Sequence, residues 1–414
     1  MTKLEHIEVE GFKGLERVEF EPTDINLITG RNNTGKTSLL EAVDLLFNPA
    51  HYEDFGDNMD SVIHVDHNYS EIWGKVQEQE VETAIRTPTS SEAQSYMIEV
   101  VSERVKYEVH FSSSFIEERA DDIKDTIDKS AQRLLEEKLT QTVLTDLKDE
   151  MRVLSTGSGK FPYLLCGDTT RTLLQDIWRQ IAEELRQEDL QNVLIKSNSG
   201  LVGLMEFDSE QTELQMGFGE IPLRSPENTG FASFIKSTNL IESIDRTDDE
   251  QEPIKIDDIG DFIKDTKLVD DLKTFTLDYL VFEDESGNKN QIPYNFMGDG
   301  FKTIVGLLWE LMDDDVEDQI VLIEEPETHM HPGYVAELVH FLIDLARDEG
   351  IQFFITTHDH DFIKDFFTEM PGEKRDYLED EFSLVKMDDF GADVMDYENA
   401  EHHLKDLHLD LRGI

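Results

Sequence analysis

Three things are scarce in this sequence. There is one cysteine, Cys166, in 414 residues, so neither an intrachain disulfide nor a cysteine-built metal cage can form. That lone thiol is expected to be a small buried hydrophobe. Long apolar runs are also missing: the longest, Ile304 to Trp309, is far below the ~20 residues of a membrane span. Met1-Thr2-Lys3-Leu4-Glu5 lacks the apolar centre of a signal peptide, so a cytoplasmic protein with no membrane partner is expected. The third shortage is positive charge. Against 92 Asp+Glu stand 37 Lys+Arg, a formal net charge of −55. A chain this acidic is disordered when it also lacks apolar residues, but here 38% are hydrophobic and 9% aromatic. The acids are spread along the whole chain, as on a globular protein with an acidic surface throughout. At about 1 M salt the Debye length falls to roughly 3 Å and the self-repulsion is screened. A halophilic cytoplasm follows as the expectation.

What is present reads as an α/β chain of two to three domains. Ile7 and Val9, then Val18 and Phe20, alternate with acids and predict a hairpin around Gly11-Phe12-Lys13-Gly14. Ile25 to Ile28 predicts a short buried strand, and Leu39, Leu40, Val43, Leu46 and Phe47 recur at helical spacing. More strands are expected between Ile72 and Phe111. From Ser112 the pattern changes: Ile116, Ala120, Ile123, Ile127, Ala131 and Leu134 predict an amphipathic helix, broken at Gly157 to Pro162. Leu173 to Leu185 predicts another helix, and strands are expected near 204–207 and 214–218. A polar stretch from Thr247 to Glu252 reads as a linker. The last third returns to α/β, with strands at Leu277–Glu283, Ile320–Ile323 and Phe353–Ile355, and helices at Phe301–Met312 and Tyr334–Ala346. A hairpin around Phe390-Gly391 and a helix from His402 to Leu411 close the pattern. The expected domains are 1–112, a mainly helical lid at 113–252, and 253–414.

Gly30-Arg31-Asn32-Asn33-Thr34-Gly35-Lys36-Thr37, followed by Ser38, fits the phosphate-loop pattern GxxxxGK[ST] at every fixed position. It follows a predicted strand and opens a predicted helix, the context that pattern requires. The glycines let successive N–H groups face phosphate oxygens at a helix N-terminus. Lys36 adds a point charge at the β- and γ-phosphates, and the Thr37 hydroxyl can ligate Mg²⁺. ATP and Mg²⁺ are therefore the expected cofactors. Downstream, Ile320-Val321-Leu322-Ile323 runs into Glu324-Glu325-Pro326-Glu327. Glu324 can hold the hydrated metal and Glu325 can orient and deprotonate the attacking water. Successive strand residues face opposite ways, so the turn at the strand exit must bring both to one phosphate. His358, in Thr356-Thr357-His358 after a further apolar strand, can contact the γ-phosphate. His358, Asp359, His360 and Asp361, or His329 and His331, could ligate a metal, although solvated loop residues are the simpler reading. Phe12 and Lys13 either line the nucleotide or are an ordinary strand-end aromatic and a surface lysine.

Together, Gly11-Phe12-Lys13-Gly14, the phosphate loop, Glu324-Glu325-Pro326-Glu327-Thr328-His329-Met330-His331-Pro332 and Thr357-His358-Asp359 resemble the OLD-like and RecF-like ABC-type ATPases. The resemblance covers about residues 1–110 and 255–414. It implies an ABC-type P-loop ATPase head, split by the helical insertion, that forms a homodimer around two ATPs. The separation of 288 residues from Lys36 to Glu324 agrees with such an insertion. The resemblance also implies a signature-like stretch, Phe296-Met297-Gly298-Asp299-Gly300-Phe301, whose Gly298, Asp299 and Gly300 would meet the partner's ATP. This stretch departs from the Leu-Ser-Gly-Gly-Gln of transporters, and Glu324 stands where an Asp is usual. With 56 residues after His358, the Toprim nuclease of OLD-family nucleases is not expected here. Two functions stay open: an ATP-driven switch in DNA repair or anti-phage defence, with DNA as partner by resemblance alone, or a regulatory subunit gating a separate nuclease or toxin effector. The charge yields a direct prediction: folding should be cooperative at molar KCl and lost in dilute buffer. A circular dichroism melt insensitive to salt would overturn the halophilic reading.

Overall fold

The computed structural model describes residues 3–52, 55, 61–77, 79–95, 97, 109–111, 129–130, 132–140, 143, 147, 151–157, 163–166, 169–170, 172–174, 176–177, 180, 193–195, 228–229, 231–236, 253–266, 268–283, 286–312, 319–328, 330–368, 370–388, 391–407 and 410–412. The chain divides into two units: 1–49, 71–82 and 228–414 make the first, and 50–70 and 83–227 the second.

A hairpin of β1 (Leu4–Phe12) and β2 (Leu15–Phe20) opens the chain, followed by β3 (Ile25–Gly30) and α1 (Lys36–Phe47). Next come β4 (Tyr69–Val76), β5 (Gln79–Arg86), β6 (Val109–Phe111), β7 (Met151–Thr156), β8 (Tyr163–Cys166), β9 (Val193–Ile195) and β10 (Ala232–Lys236). The last third holds α2 (Pro253–Asp265), the meander β11 (Leu272–Phe275), β12 (Tyr279–Glu283) and β13 (Lys289–Pro293), then α3 (Asp299–Leu311) and β14 (Ile320–Glu324). It ends with α4 (Pro332–Asp348), β15 (Gln352–Thr356), α5 (His360–Asp365), α6 (Gly372–Glu381), β16 (Phe382–Asp388), β17 (Gly391–Asp396) and α7 (Tyr397–Lys405).

The centre of the first unit is a sheet in the order β10-β14-β15-β3-β16-β17. Its first five strands are parallel and β17 is antiparallel at the edge. Strands covered on both faces read as unbroken apolar runs. Accordingly, all of β3 and β15 and the first four residues of β14 are buried. Leu27, Val321, Ile323, Phe353 and Ile355 share one core with Ile304 and Leu308 of α3, Leu338 and Leu342 of α4, and Phe362 of α5. Helix α1 packs against β3, β14 and β15 and also reaches β1. Strand β1 pairs antiparallel with both β2 and β4. This is a mixed α/β fold.

Two buried amides lock the sheet. Asn26 is fully buried and its Nδ2 donates to Thr23 O at 2.7 Å and to Phe353 O at 3.0 Å. Its Oδ1 accepts from Thr23 N and from Ser383 Oγ, each at 2.9 Å. One side chain thus ties β3 to both neighbouring strands. Gln352 donates to Leu4 O at 3.0 Å and accepts from Leu4 N at 2.8 Å, stitching the start of β15 to β1.

In the second unit the end of β5 pairs antiparallel with β7, β7 with β8, and β6 with β9. The helix expected to run as far as Gly157 instead gives way to the β7–β8 hairpin. Met151, Arg152, Val153 and Leu154 are all buried, a short run that a strand covers and an amphipathic helix does not. The residues Ile116, Ala120, Ile123, Ile127 and Ala131 of the predicted helix, the strands near 204–207 and 214–218 and the linker at 247–252 lie outside the described residues. Strand β10 pairs with β14 although it falls within 113–252. The last helix begins at Tyr397 rather than His402, because Asp396 Oδ1 accepts from Asn399 N at 2.9 Å and caps it there. Among the described residues no helix is long and apolar enough to cross a membrane.

Asn26→Ala should leave two carbonyls, an N–H and a hydroxyl without their buried partner. A loss of about 3 kcal/mol is expected, read as a lower urea midpoint at fixed molar KCl. An unchanged midpoint would mean the sheet does not depend on this lock.

Candidate nucleotide site

The register of three adjacent strands builds the site. Glu324 of β14 lies beside Thr356 of β15, and Thr356 beside Ile28 of β3. Their carboxyl ends therefore open on one level, where ligands of parallel α/β sheets bind.

From β3 the chain enters the loop 30–35. Gly35 has φ +90°, and a Cβ there would collide with Leu15 Cδ2. Gly30, at φ +151°, would place a Cβ against Met387 O. Both positions require glycine. Arg31, Asn32 and Asn33 are exposed, while Thr34 is buried and its Oγ1 donates to Arg31 O at 2.9 Å. Lys36 is only 7% exposed, and its Nζ donates to Gly30 O and Arg31 O, each at 3.0 Å. Burial lowers its pKa, against the upward pull of Glu325 and Glu327. Helix α1 starts at Gly35 with no side-chain cap and no acid in its first turn. In a chain with 92 acids that omission leaves the helix N-terminus open to an anion. A cradle that a Cβ would fill, a lysine and an uncapped helix start fit phosphate.

Thr37 is exposed and its Oγ1 donates to Glu324 Oε1 at 2.6 Å. A hydroxyl and a carboxylate in contact are hard oxygen donors that suit Mg²⁺. The next residue, Glu325, has φ +48°, a left-handed conformation costing on the order of 1–3 kcal/mol. That turn breaks the strand alternation, so Glu324 reaches Thr37 while Glu325 Oε1 meets His358 Nδ1 at 2.9 Å. The backbone N–H of Glu325 is held by Thr356 O at 3.0 Å.

Phosphate loop, Thr37, Glu324, Glu325 and His358 thus come together. Gly298, Asp299 and Gly300 are on a different element, at the start of α3. Phe12 is fully buried, so its ring belongs to the core and does not line a nucleotide. Lys13 is tied to Glu41 Oε2 of α1 at 2.5 Å. His331 Nδ1 caps α4 by accepting from Gly333 N at 3.2 Å, and His329 lies outside the described residues. Among the described residues, the His and acid atoms close enough to share a metal are not those of His358 to Asp361 but those of His6, Glu8 and Glu19. Arg17 already bridges that pair of glutamates, at 2.7 and 2.9 Å.

The residue pattern by itself did not single out Glu327. It is 7% exposed, and its Oε1 accepts from Thr357 Oγ1 at 2.5 Å. Burial pushes its carboxyl up to about 7, against the hydrogen bond from Thr357, and Glu325 adds to the rise. The available signal was a third carboxylate in Glu324-Glu325-Pro326-Glu327 that metal and base roles leave unused.

A glycine-cradled loop opening a helix, beside an acid-tipped parallel strand, defines a P-loop nucleotide hydrolase. Residues 2–363 match the AAA ATPase domain family model AAA_15, and the chain belongs to that family. It is an ATPase, converting ATP and water to ADP and phosphate. Among solved structures it is similar to the SMC head domain from Thermotoga maritima, with 10% identity, TM-score 0.44, and coverage of 95% of this chain and 98% of that one. It is also similar to the Pyrococcus furiosus Smc head domain with an extended coiled coil bound to the C-terminal domain of ScpA. There the identity is 13%, the TM-score 0.43, and the coverage 99% and 100%. No curated protein matches the chain.

Lys36→Ala removes the ammonium from the loop. ATP affinity should fall by about 10- to 100-fold, the worth of a charge-assisted hydrogen bond. Titration with a fluorescent ATP analogue at multimolar KCl checks it, and equal affinities would refute the assignment of the loop.

Proposed function

We propose that the chain is an ABC-type head of the OLD/RecF group that closes as a homodimer on two Mg²⁺-ATP molecules and opens after hydrolysis. The observation that carries this reading is the contact of Glu325 with His358 one strand away from the phosphate loop. Gly30 to Ser38 wrap the phosphates, and Lys36 turns from its loop carbonyls to the β- and γ-phosphates. Thr37 and Glu324 would hold Mg²⁺, which would supply charge neutralisation at the phosphates. Glu325 orients the attacking water and takes its proton, while His358 donates a hydrogen bond to the γ-phosphate. Gly298, Asp299 and Gly300, at the uncapped start of α3, face the ATP of the second copy. The head is the first unit, 1–49, 71–82 and 228–414, and the insertion is 50–70 with 83–227, in place of the expected boundaries at 112 and 252, because β10 pairs with β14.

The setting is the cytoplasm of a halophile, in DNA repair or anti-phage defence. A net charge of −55 offers no broad basic face, and counterion release weakens DNA binding as salt rises. Control of a separate effector protein is therefore the alternative, and co-purification of a stoichiometric nuclease would favour it.

Glu325→Gln keeps the shape and removes the base. Phosphate release should drop about 10²- to 10⁴-fold while ATP stays bound, so the variant should accumulate as an ATP-dependent dimer in size-exclusion chromatography with light scattering. Glu324→Gln should instead weaken nucleotide retention and Mg²⁺ dependence together. Hydrolysis at the wild-type rate by Glu325→Gln would show that the base is another residue.

A further inference from the structure

Glu327 has no part in the roles above, yet it is the most deeply buried of the three glutamates in the run Glu324 to Glu327. An ionisable group taken out of water is costly unless its partners hold it. Its Oε1 accepts from Thr357, while Oε2 is buried with no hydrogen-bond partner among the described residues. The Thr357 hydroxyl is thus its one hydrogen-bond partner among the described residues, and any side-chain oxygen placed there, carboxyl or amide, can accept from it.

Its partner is fully committed. Thr357 is wholly buried; its hydroxyl donates to Glu327 and accepts from Asp359 N at 3.0 Å, and its backbone N–H donates to Ile28 O at 3.0 Å. Asp359 then caps α5, Oδ1 accepting from Asp361 N at 2.7 Å and Phe362 N at 2.9 Å. The turn after β14 and the turn after β15 are therefore tied at two points. Glu325 N meets Thr356 at one, and Glu327 meets Thr357 at the other. Glu325 sits at the first tie and His358 directly follows the second, and their side chains meet at 2.9 Å.

We propose that Glu327 is a positioning residue for ATP hydrolysis: by gripping the Thr357 hydroxyl it fixes the turn bearing His358 against the strand exit bearing Glu325. The role rests on the reading of Glu325 and His358 given above. Displacing a reacting group by about 1 Å costs on the order of 10²-fold in rate, so the grip acts on turnover and leaves the phosphate loop alone.

The test is steady-state ATP hydrolysis at molar KCl, with ATP affinity and thermal melting measured separately, for Glu327→Ala, Glu327→Gln, Thr357→Val, Thr357→Ser and Glu325→Gln. Glu327→Ala and Thr357→Val should each lower kcat about 10- to 100-fold with ATP affinity unchanged within about twofold. Their double variant should be no worse than either single, within about twofold, because both remove the same contact. Glu327→Gln and Thr357→Ser, which keep the acceptor and the hydroxyl, should recover most of the rate. Should Glu327→Ala not fold, the Thr357 pair carries the comparison. Wild-type kcat in the two truncations, or kcat, affinity and melting falling together, overturns the role. Wild-type turnover by Glu325→Gln overturns the underlying site reading instead.

Discussion

The parallel pairing of β14, β15 and β3 is the constraint from which the rest of the site follows. Backbone hydrogen bonds fix Glu324, Thr356 and Ile28 at one level. Everything chemical is then placed by what each strand does on leaving the sheet. β3 turns through two obligatory glycines into α1, β14 turns through a left-handed glutamate, and β15 runs into the capped start of α5. Slipping one strand by a single residue would invert its side chains between the two faces. The Asn26 hydrogen bonds to Phe353 and Ser383 hold the register from the other end of the strands.

A second constraint is electrostatic. An ATPase binds a polyanion, and this one does so inside a field set by 92 acids against 37 bases. The conflict is handled locally. The first turn of α1 carries no acid, Lys36 is buried where its charge is little screened, and the helix start lends its own partial charge. Glu324 touches a hydroxyl and Glu325 a histidine. Glu327 is pushed towards neutrality by burial, which keeps a third full negative charge from accumulating beside the other two at neutral pH.

Much of this was legible in the sequence because its signals are local. The spacing Gly30 to Thr37 fixes a loop, the short, mainly β-branched run Ile320 to Ile323 reads as a covered strand, and the helix starting at Lys36 follows from Leu39, Leu40 and Val43. What stayed hidden depends on contacts distant in sequence. Nothing near Ala232 announces that β10 will pair with β14, and nothing near Gln352 announces Leu4. The β7–β8 hairpin was missed because Arg152, charged yet buried, interrupts what would otherwise read as a short apolar strand. Glu327 was passed over for a related reason: in a chain so rich in acids, only burial and the bond from Thr357 distinguish one glutamate from the rest.

The position of β3 also sets the order of events during synthesis. Its hydrogen-bonded neighbours are β15 and β16, which begin at Gln352 and Phe382, whereas β3 itself begins at Ile25. A ribosome adding roughly 5–20 residues per second needs on the order of 20–60 s to cover that gap. Throughout it the nascent chain carries Ile25, Leu27 and Ile28 without either flanking strand. Such long-range closure makes for slow folding and leaves an unpaired apolar strand open to the wrong partners. The phosphate loop is thus made well before the strands that flank β3, and its shape waits on theirs.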